Sequence, residues 1–224
     1  MNENYKWNNV SFNSMGIIIE STPIVSIPKH SFTEYVIPGR NGSLNEDNKT
    51  FDTISFSLDC HFNTDNVSDI NALRKWLQGY GTLQLDNEKV YIGRISNAIP
   101  IEKVMNFRKF KIQFMLQPIA RALNVTTVTS TSSFTADTYM DSYPIITLTA
   151  SGNVTVILND VTFTLSDTNG TYVLDCDAKV ITKNGSNASN IMSGDFPKVI
   201  SGGNSLNVVG SVSGFKIEYY KTFI

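Results

Sequence analysis

Two histidines, His30 and His61, and two cysteines, Cys60 and Cys176, are the side chains of this 224-residue sequence best suited to proton transfer, nucleophilic attack or soft-metal ligation. Their context supports none of these. His61 falls on the polar side of an alternating stretch, His30 follows Pro28-Lys29 in a loop, and no nucleophile-elbow or His-Glu-x-x-His pattern accompanies either. Both cysteines read as small buried hydrophobes, falling in different expected domains, which argues against a disulfide, and too poor in neighbouring ligands for a metal. Scattered Asp and Glu leave a glycosidase-type carboxylate pair open in principle, yet no spacing singles one out. The expectation is no catalytic residue, no metal and no cofactor.

Two binding chemistries remain. Tyr143, Tyr172, Tyr219 and Tyr220 can stack on a sugar ring, but residues 122–224 contain no Trp, His or Arg to complete such a site. The other candidate is Arg40, whose planar donor fork suits a carboxylate or carbonyls on a partner surface. It sits in Ile37-Pro38-Gly39-Arg40-Asn41-Gly42. Proline fixes φ, Gly39 can take positive φ, and Asn41-Gly42 favours a reversal with two left-handed residues, so the chain must turn here. The six residues Ile37, Pro38, Gly39, Arg40, Asn41 and Gly42 are the candidate subunit-interface site.

The flanks should position this turn. After it, Ile54, Phe56, Leu58, Cys60 and Phe62 alternate with polar residues, a half-buried strand. Tyr35, Val36 and Ile37 are β-formers, and the simplest pairing is a hairpin between the two stretches whose polar tip, 38–50, projects. Gly16-Ile17-Ile18-Ile19 reads as a strand apolar on both sides, and Pro23 and Pro28 keep 21–29 at an edge or outside the sheets. A helix is expected over about 68–78, capped by Ser68, with Ile70, Leu73, Trp76 and Leu77 on one face and Gly79 after it. The spacing of Trp76 from Leu73 and Ile70 makes it a packing residue rather than a stacking platform. A hairpin around Asp86-Asn87-Glu88 follows. Phe110, Ile112, Phe114 and Leu116 then alternate with Lys109, Lys111, Gln113 and Met115, giving a basic side that reads as a channel, a rim or a solvated face.

Past Pro118 the composition shifts to Thr, Ser and Ala. The expected organisation is residues 1–121 as one β domain with a helix, 122–142 as a connecting segment and 143–224 as a β-sandwich of many short strands separated by turn signals. With 41% hydrophobic and 17% charged residues the sequence is of globular composition, and it has a formal charge of −2. Residues 1–121 hold 13 basic and 12 acidic side chains and 122–224 hold 5 and 8, so neither half offers a nucleic-acid surface. The first ten residues lack the apolar stretch of a signal peptide, and no run reaches the roughly 18 residues of a membrane helix.

The Pro-Gly-Arg-Asn-Gly turn, set between the Gly-Ile-Ile-Ile strand and the alternating aromatic strand, resembles the distal tail proteins (Dit) of long-tailed, siphovirus-type bacteriophages. The second half agrees in order: Tyr143-Pro144, Asp175-Cys176-Asp177, Asn184-Gly185, Gly194-Asp195-Phe196-Pro197, Gly203-Asn204 and Tyr219-Tyr220. This is similar to the galectin-like carboxy-terminal domain of the same family. The resemblance implies a tail-tube-like first domain forming a homohexameric ring around a DNA channel in the virion tail tip, assembled in the bacterial cytoplasm. It implies contacts to the tail tube protein and to a tail-associated lysin or tail-tip hub protein, with the receptor-binding and tape measure proteins as further partners. DNA would pass without specific binding and no membrane would be entered. A carbohydrate-binding accessory module of the tail and a tail-tube subunit are the alternatives.

Overall fold

The computed structural model describes residues 5–62, 70–99 and 109–224. The chain is mainly β and divides into two compact units, one running to Ala120 and including Ile224, the other Arg121–Phe223.

The first unit contains β1 (Lys6–Trp7), β2 (Val10–Ser11), β3 (Ile17–Ile19), β4 (His30–Val36), β5 (Ser43–Phe51), β6 (Ile54–Phe62), α1 (Ile70–Trp76), β7 (Tyr80–Gln84), β8 (Lys89–Ile95) and β9 (Lys109–Leu116). Seven of its strands pair antiparallel in the order β3-β6-β9-β8-β7-β1-β2. Alternation along β6 translates directly into burial: Ile54, Phe56, Leu58, Cys60 and Phe62 point inward and the intervening residues outward. Across the ladder they face Leu116, Phe114, Ile112 and Phe110 of β9, with Phe62 and Phe110 stacked at 4.8 Å. Leu73 and Leu77 bury the inner side of α1, while Ser68 and Asp69 lie outside the described residues. The helix is tied to β1 by a reciprocal pair of bonds. Trp7 Nε1 donates to the Trp76 carbonyl at 3.1 Å, and Trp76 Nε1 donates to the Trp7 carbonyl at 3.0 Å.

The second unit holds β10 (Ala120–Val128), β11 (Phe134–Ala136), β12 (Ile145–Leu158), β13 (Val161–Asp175), β14 (Val180–Lys183), β15 (Ser186–Asn187), β16 (Met192–Gly194), β17 (Gly202–Asn204) and β18 (Leu206–Phe223). Here the expectation of many short strands is corrected. Ser151-Gly152 and Thr168-Asn169-Gly170 do not end strands but face each other across one continuous β12–β13 ladder, with Ser151 opposite Asn169 and Gly152 opposite Thr168. The register slips between Gly152 and Val154, where Asn153 Oδ1 accepts the Asp167 N–H and Gly152 takes a φ of 77°. On the other side of β12, the β18 ladder slips between Ser151 and Thr155, and Gly210 takes a φ of 125°. These residues are bends within long strands, so that Ile146 and Leu148 on one side and Val154, Val156 and Leu158 on the other join a single core cluster.

Residues 122–142, expected to connect, carry most of β10, and β11, which pairs with β17. The stretch after β11 is fastened to the end of β18: Thr138 Oγ1 lies 2.8 Å from Thr222 Oγ1, and Tyr139 N–H donates to the Thr222 carbonyl. Thr and Ser dominate here because their hydroxyls supply the strap's hydrogen bonds.

Candidate functional site

The expected hairpin between residues 35–37 and 54–62 is not the one that forms. β4 pairs with β5 as a separate two-stranded ribbon, while β6 pairs with β3 and β9. What read as a long polar loop over 38–50 is therefore a strand from Ser43 onward. Its residues Asn45, Glu46, Asp47, Asn48 and Lys49 gave no strand signal because both sides of the ribbon face solvent, so no apolar alternation is required. Polar contacts hold it instead: Tyr35 Oη donates to Glu46 Oε2, Thr33 Oγ1 to Asn48 Oδ1, and Asn48 Nδ2 to Ser31 Oγ. At its base the register slips, so that His30 faces Phe51 while Phe32 faces Asp47. The His30 ring packs 4.9 Å from Phe51 and 5.1 Å from Phe32, and its Nδ1 lies 3.2 Å from Asp47 Oδ1, at ion-pair distance without hydrogen-bond alignment.

The six tip residues are all exposed. Ile37 C=O accepts the Arg40 N–H at 3.1 Å with Pro38 and Gly39 between them and Gly39 at φ 81°, which is a type II turn. Gly42 takes φ 79° just before β5, whereas Asn41 is not left-handed, so the reversal is centred on Pro38-Gly39 and not on Asn41-Gly42. A Cβ at Gly39 or Gly42 would meet nothing within 4 Å, so only backbone conformation demands glycine there.

Apolar residues of the ribbon are left exposed. Val36 is 83% exposed, and in the preceding segment between β3 and β4 Ile24 and Ile27 are 82% and 81% exposed. Phe32, Tyr35, Ile37 and Leu44 are also exposed. A two-stranded ribbon in water is marginal by itself, and this one leaves Phe32, Tyr35, Val36 and Leu44 exposed along its length.

The expected basic side of β9 is charge-balanced by its neighbours. Lys111 Nζ lies 3.2 Å from Asp59 Oδ1, directly across the ladder, and Glu20 Oε1 lies 3.0 Å from Lys109 Nζ and 3.3 Å from His61 Nδ1.

For chemistry the geometry offers little. Cys60 and Cys176 are buried and free, and burial pushes each thiol up to about 12, helped by Asp59 and Glu20 at Cys60 and by Asp175 at Cys176. Neither is a thiolate at neutral pH. Folded protein is expected to show no reaction with a thiol-specific disulfide reagent, and denatured protein to react at both cysteines; a fast native reaction would show that one of them is reachable. No group of three or more metal-ligating side chains occurs among the described residues. A cavity of 290 Å³ is lined by Ser55, Phe56, Ser57, Ser96, Gln113 and Phe114, and one of 390 Å³ by Ser133, Phe134, Thr135, Gly203, Asn204 and Ser205. Neither contains a titratable group. Of the four tyrosines with stacking potential, Tyr172 and Tyr219 are buried, and the exposed Tyr143 and Tyr220 each have a cation over the ring, Lys198 at 5.1 Å and Arg121 at 5.0 Å.

The fold is that of a phage distal tail protein. The SPP1 Dit (gp 19.1) protein, described as a paradigm of hub adsorption apparatus in phages infecting Gram-positive bacteria, superposes with a TM-score of 0.79 over 99% of both chains at 13% identity. A component of the phage p2 baseplate in its activated conformation with Sr matches with a TM-score of 0.54, 97% coverage of both chains and 11% identity. No protein-family model and no curated protein matches the sequence.

Proposed function

We propose that this protein is the hub of a phage tail tip or baseplate, a structural protein without catalysis that forms a homohexameric ring continuing the tail tube. Residues 1–121 make the ring and surround the DNA channel, and residues 143–224, as a galectin-like domain, decorate it. The tail tube protein binds one side and a tail-associated lysin or tail-tip hub protein the other, with receptor-binding and tape measure proteins as further partners. The particle is a virion tail assembled in the host cytoplasm. The observation that carries this reading is the β4–β5 arm: a ribbon outside the core, capped by the Ile37–Gly42 turn and bearing exposed apolar residues that suit a contact with another subunit. In a ring each subunit gives one patch and receives with a different one, which suits a projecting arm. Balanced charges on the outer side of β6 and β9 suit a wall that DNA passes without binding.

Native mass spectrometry, with electron microscopy of any rings, tests the reading. Val36→Asp is expected to weaken each contact by about 1.5–3 kcal/mol, roughly ten- to hundredfold, and Arg40→Ala by a smaller amount, both with unchanged melting of the subunit. Rings of wild-type stability in both variants, or a strictly monomeric wild type, defeat the assignment. Carbohydrate binding is less well supported, because cations already cover Tyr143 and Tyr220, the exposed pair of the four candidate stacking tyrosines. A tail-tube role leaves the second unit, with its own core, unused.

A further inference from the structure

The geometry points to Asn41-Gly42 as a site of spontaneous covalent modification, at which the Asn41 amide is converted to a carboxylate. Three Asn-Gly pairs occur in the described residues: Asn41-Gly42, Asn169-Gly170 and Asn184-Gly185. In each the next residue lacks a Cβ, which leaves its backbone nitrogen open to the preceding amide. The deprotonated Gly42 N attacks Asn41 Cγ, a C–N bond forms, and the bond from Asn41 Cγ to Nδ2 breaks with loss of ammonia. One water then opens the five-membered imide at either carbonyl, giving aspartate or isoaspartate. Solvent supplies the water, and no oxidant or reductant is needed.

Structure separates the three sites. Asn169-Gly170 lies inside the β12–β13 ladder, with Asn169 opposite Ser151 and Gly170 opposite Ala150, and the Asn169 N–H donates to Tyr172 Oη. Closing the ring there requires breaking the ladder. Asn184-Gly185 forms the two-residue turn of the β14–β15 hairpin, with both residues left-handed at φ 51° and 79° and Lys183 paired with Ser186. Its dihedrals are fixed by the strands on either side. Asn41-Gly42 has neither restraint: both residues are exposed, they lie outside the ladder that closes at Val36 and Ser43, and no hydrogen bond to the Asn41 amide or the Gly42 N–H is found among the described residues. Asn41 can therefore rotate toward its neighbour's nitrogen at small cost.

The product places a carboxylate beside Arg40, competing for the guanidinium fork that the proposed ring contact uses. This second consequence rests on the arm being the subunit contact. The modification site itself does not.

Peptide mapping by mass spectrometry after incubation of the full-length protein in warm, mildly alkaline buffer tests the site. Conversion at Asn41 is expected to run at least several-fold faster than at Asn169 and Asn184 in the folded protein, and the three rates are expected to approach one another in denaturant. Equal rates in the folded protein, or a faster Asn184, overturn the proposal, and Asn41→Gln should abolish the fast phase. Native mass spectrometry of the same aged sample separates the two readings. Loss of oligomer in step with Asn41 conversion supports both, while complete conversion with an unchanged oligomer leaves the modification site standing and removes Asn41 from the ring contact.

Discussion

Trp7→Ala is expected to lower the stability of the first unit by about 3–5 kcal/mol, and by more than the corresponding change at Trp76. Trp7 is completely buried, 5.3 Å from the Phe114 ring, whereas Trp76 is half-buried and packs edge-on to Phe12 at 5.1 Å. Removing the indole leaves a large void in a close-packed interior and strips the Trp76 carbonyl of its donor. Trp7→Phe separates the two terms. It restores most of the volume and loses only the hydrogen bond, so its cost should be about 1–2 kcal/mol. Chemical denaturation followed by circular dichroism reads both, and a Trp7→Ala midpoint equal to wild type would show that the β1–α1 tie is energetically idle.

Gly93→Ala should destabilise the same unit by about 3 kcal/mol, the upper end for overpacking, although it adds one methyl group. A Cβ at Gly93 would meet the Met115 carbonyl oxygen and approach Leu116 Cα to 2.9 Å, and these are backbone atoms of β9 that no rotamer change can move. Gly93 faces Leu116 at the short β8–β9 junction, where the two parts of the sheet join. Gly39→Ala is the contrasting control. It strains a turn with open space around it and should leave the core untouched. Both tryptophans, Trp7 and Trp76, lie in the first unit, so intrinsic tryptophan fluorescence during denaturation reports on this unit alone. Unchanged transitions in Gly93→Ala would mean that β8 and β9 can separate without cost.

The alternation of Ile54 to Phe62 against polar neighbours was fully legible in the sequence, and so was a reversal within Ile37–Gly42, because each rests on local periodicity or local backbone restriction; its centre on Pro38-Gly39 in place of Asn41-Gly42 was not. What stayed hidden depended on pairing partners, near or distant along the polypeptide. β5 is a strand built of loop-like residues, and only its pairing with β4 makes it one. Ser151-Gly152 and Thr168-Asn169-Gly170 carry ordinary turn chemistry, and the same left-handed residues serve equally to bend a long strand without ending it. Lys109 and Lys111 read as a basic stripe until Glu20 and Asp59 come alongside. The mutual bonds of Trp7 and Trp76 join residues 69 positions apart and leave no pattern in either segment. At the candidate site the six turn residues were identifiable by type, but the exposed apolar side chains of the ribbon were not, since Phe32 and Val36 look like core residues until their exposure is seen.

The length of β18 has a bearing on how the polypeptide is made. Its pairs with β12 run from Leu206 opposite Leu158 to Glu218 opposite Ile145. The β12–β13 hairpin can close as soon as it leaves the ribosome, but one flank of β12 stays bare until β18 has followed it out. Translation thus finishes the strands of the first unit well before the second can be sealed. A pause between those two moments exposes an open sheet edge to other nascent polypeptides.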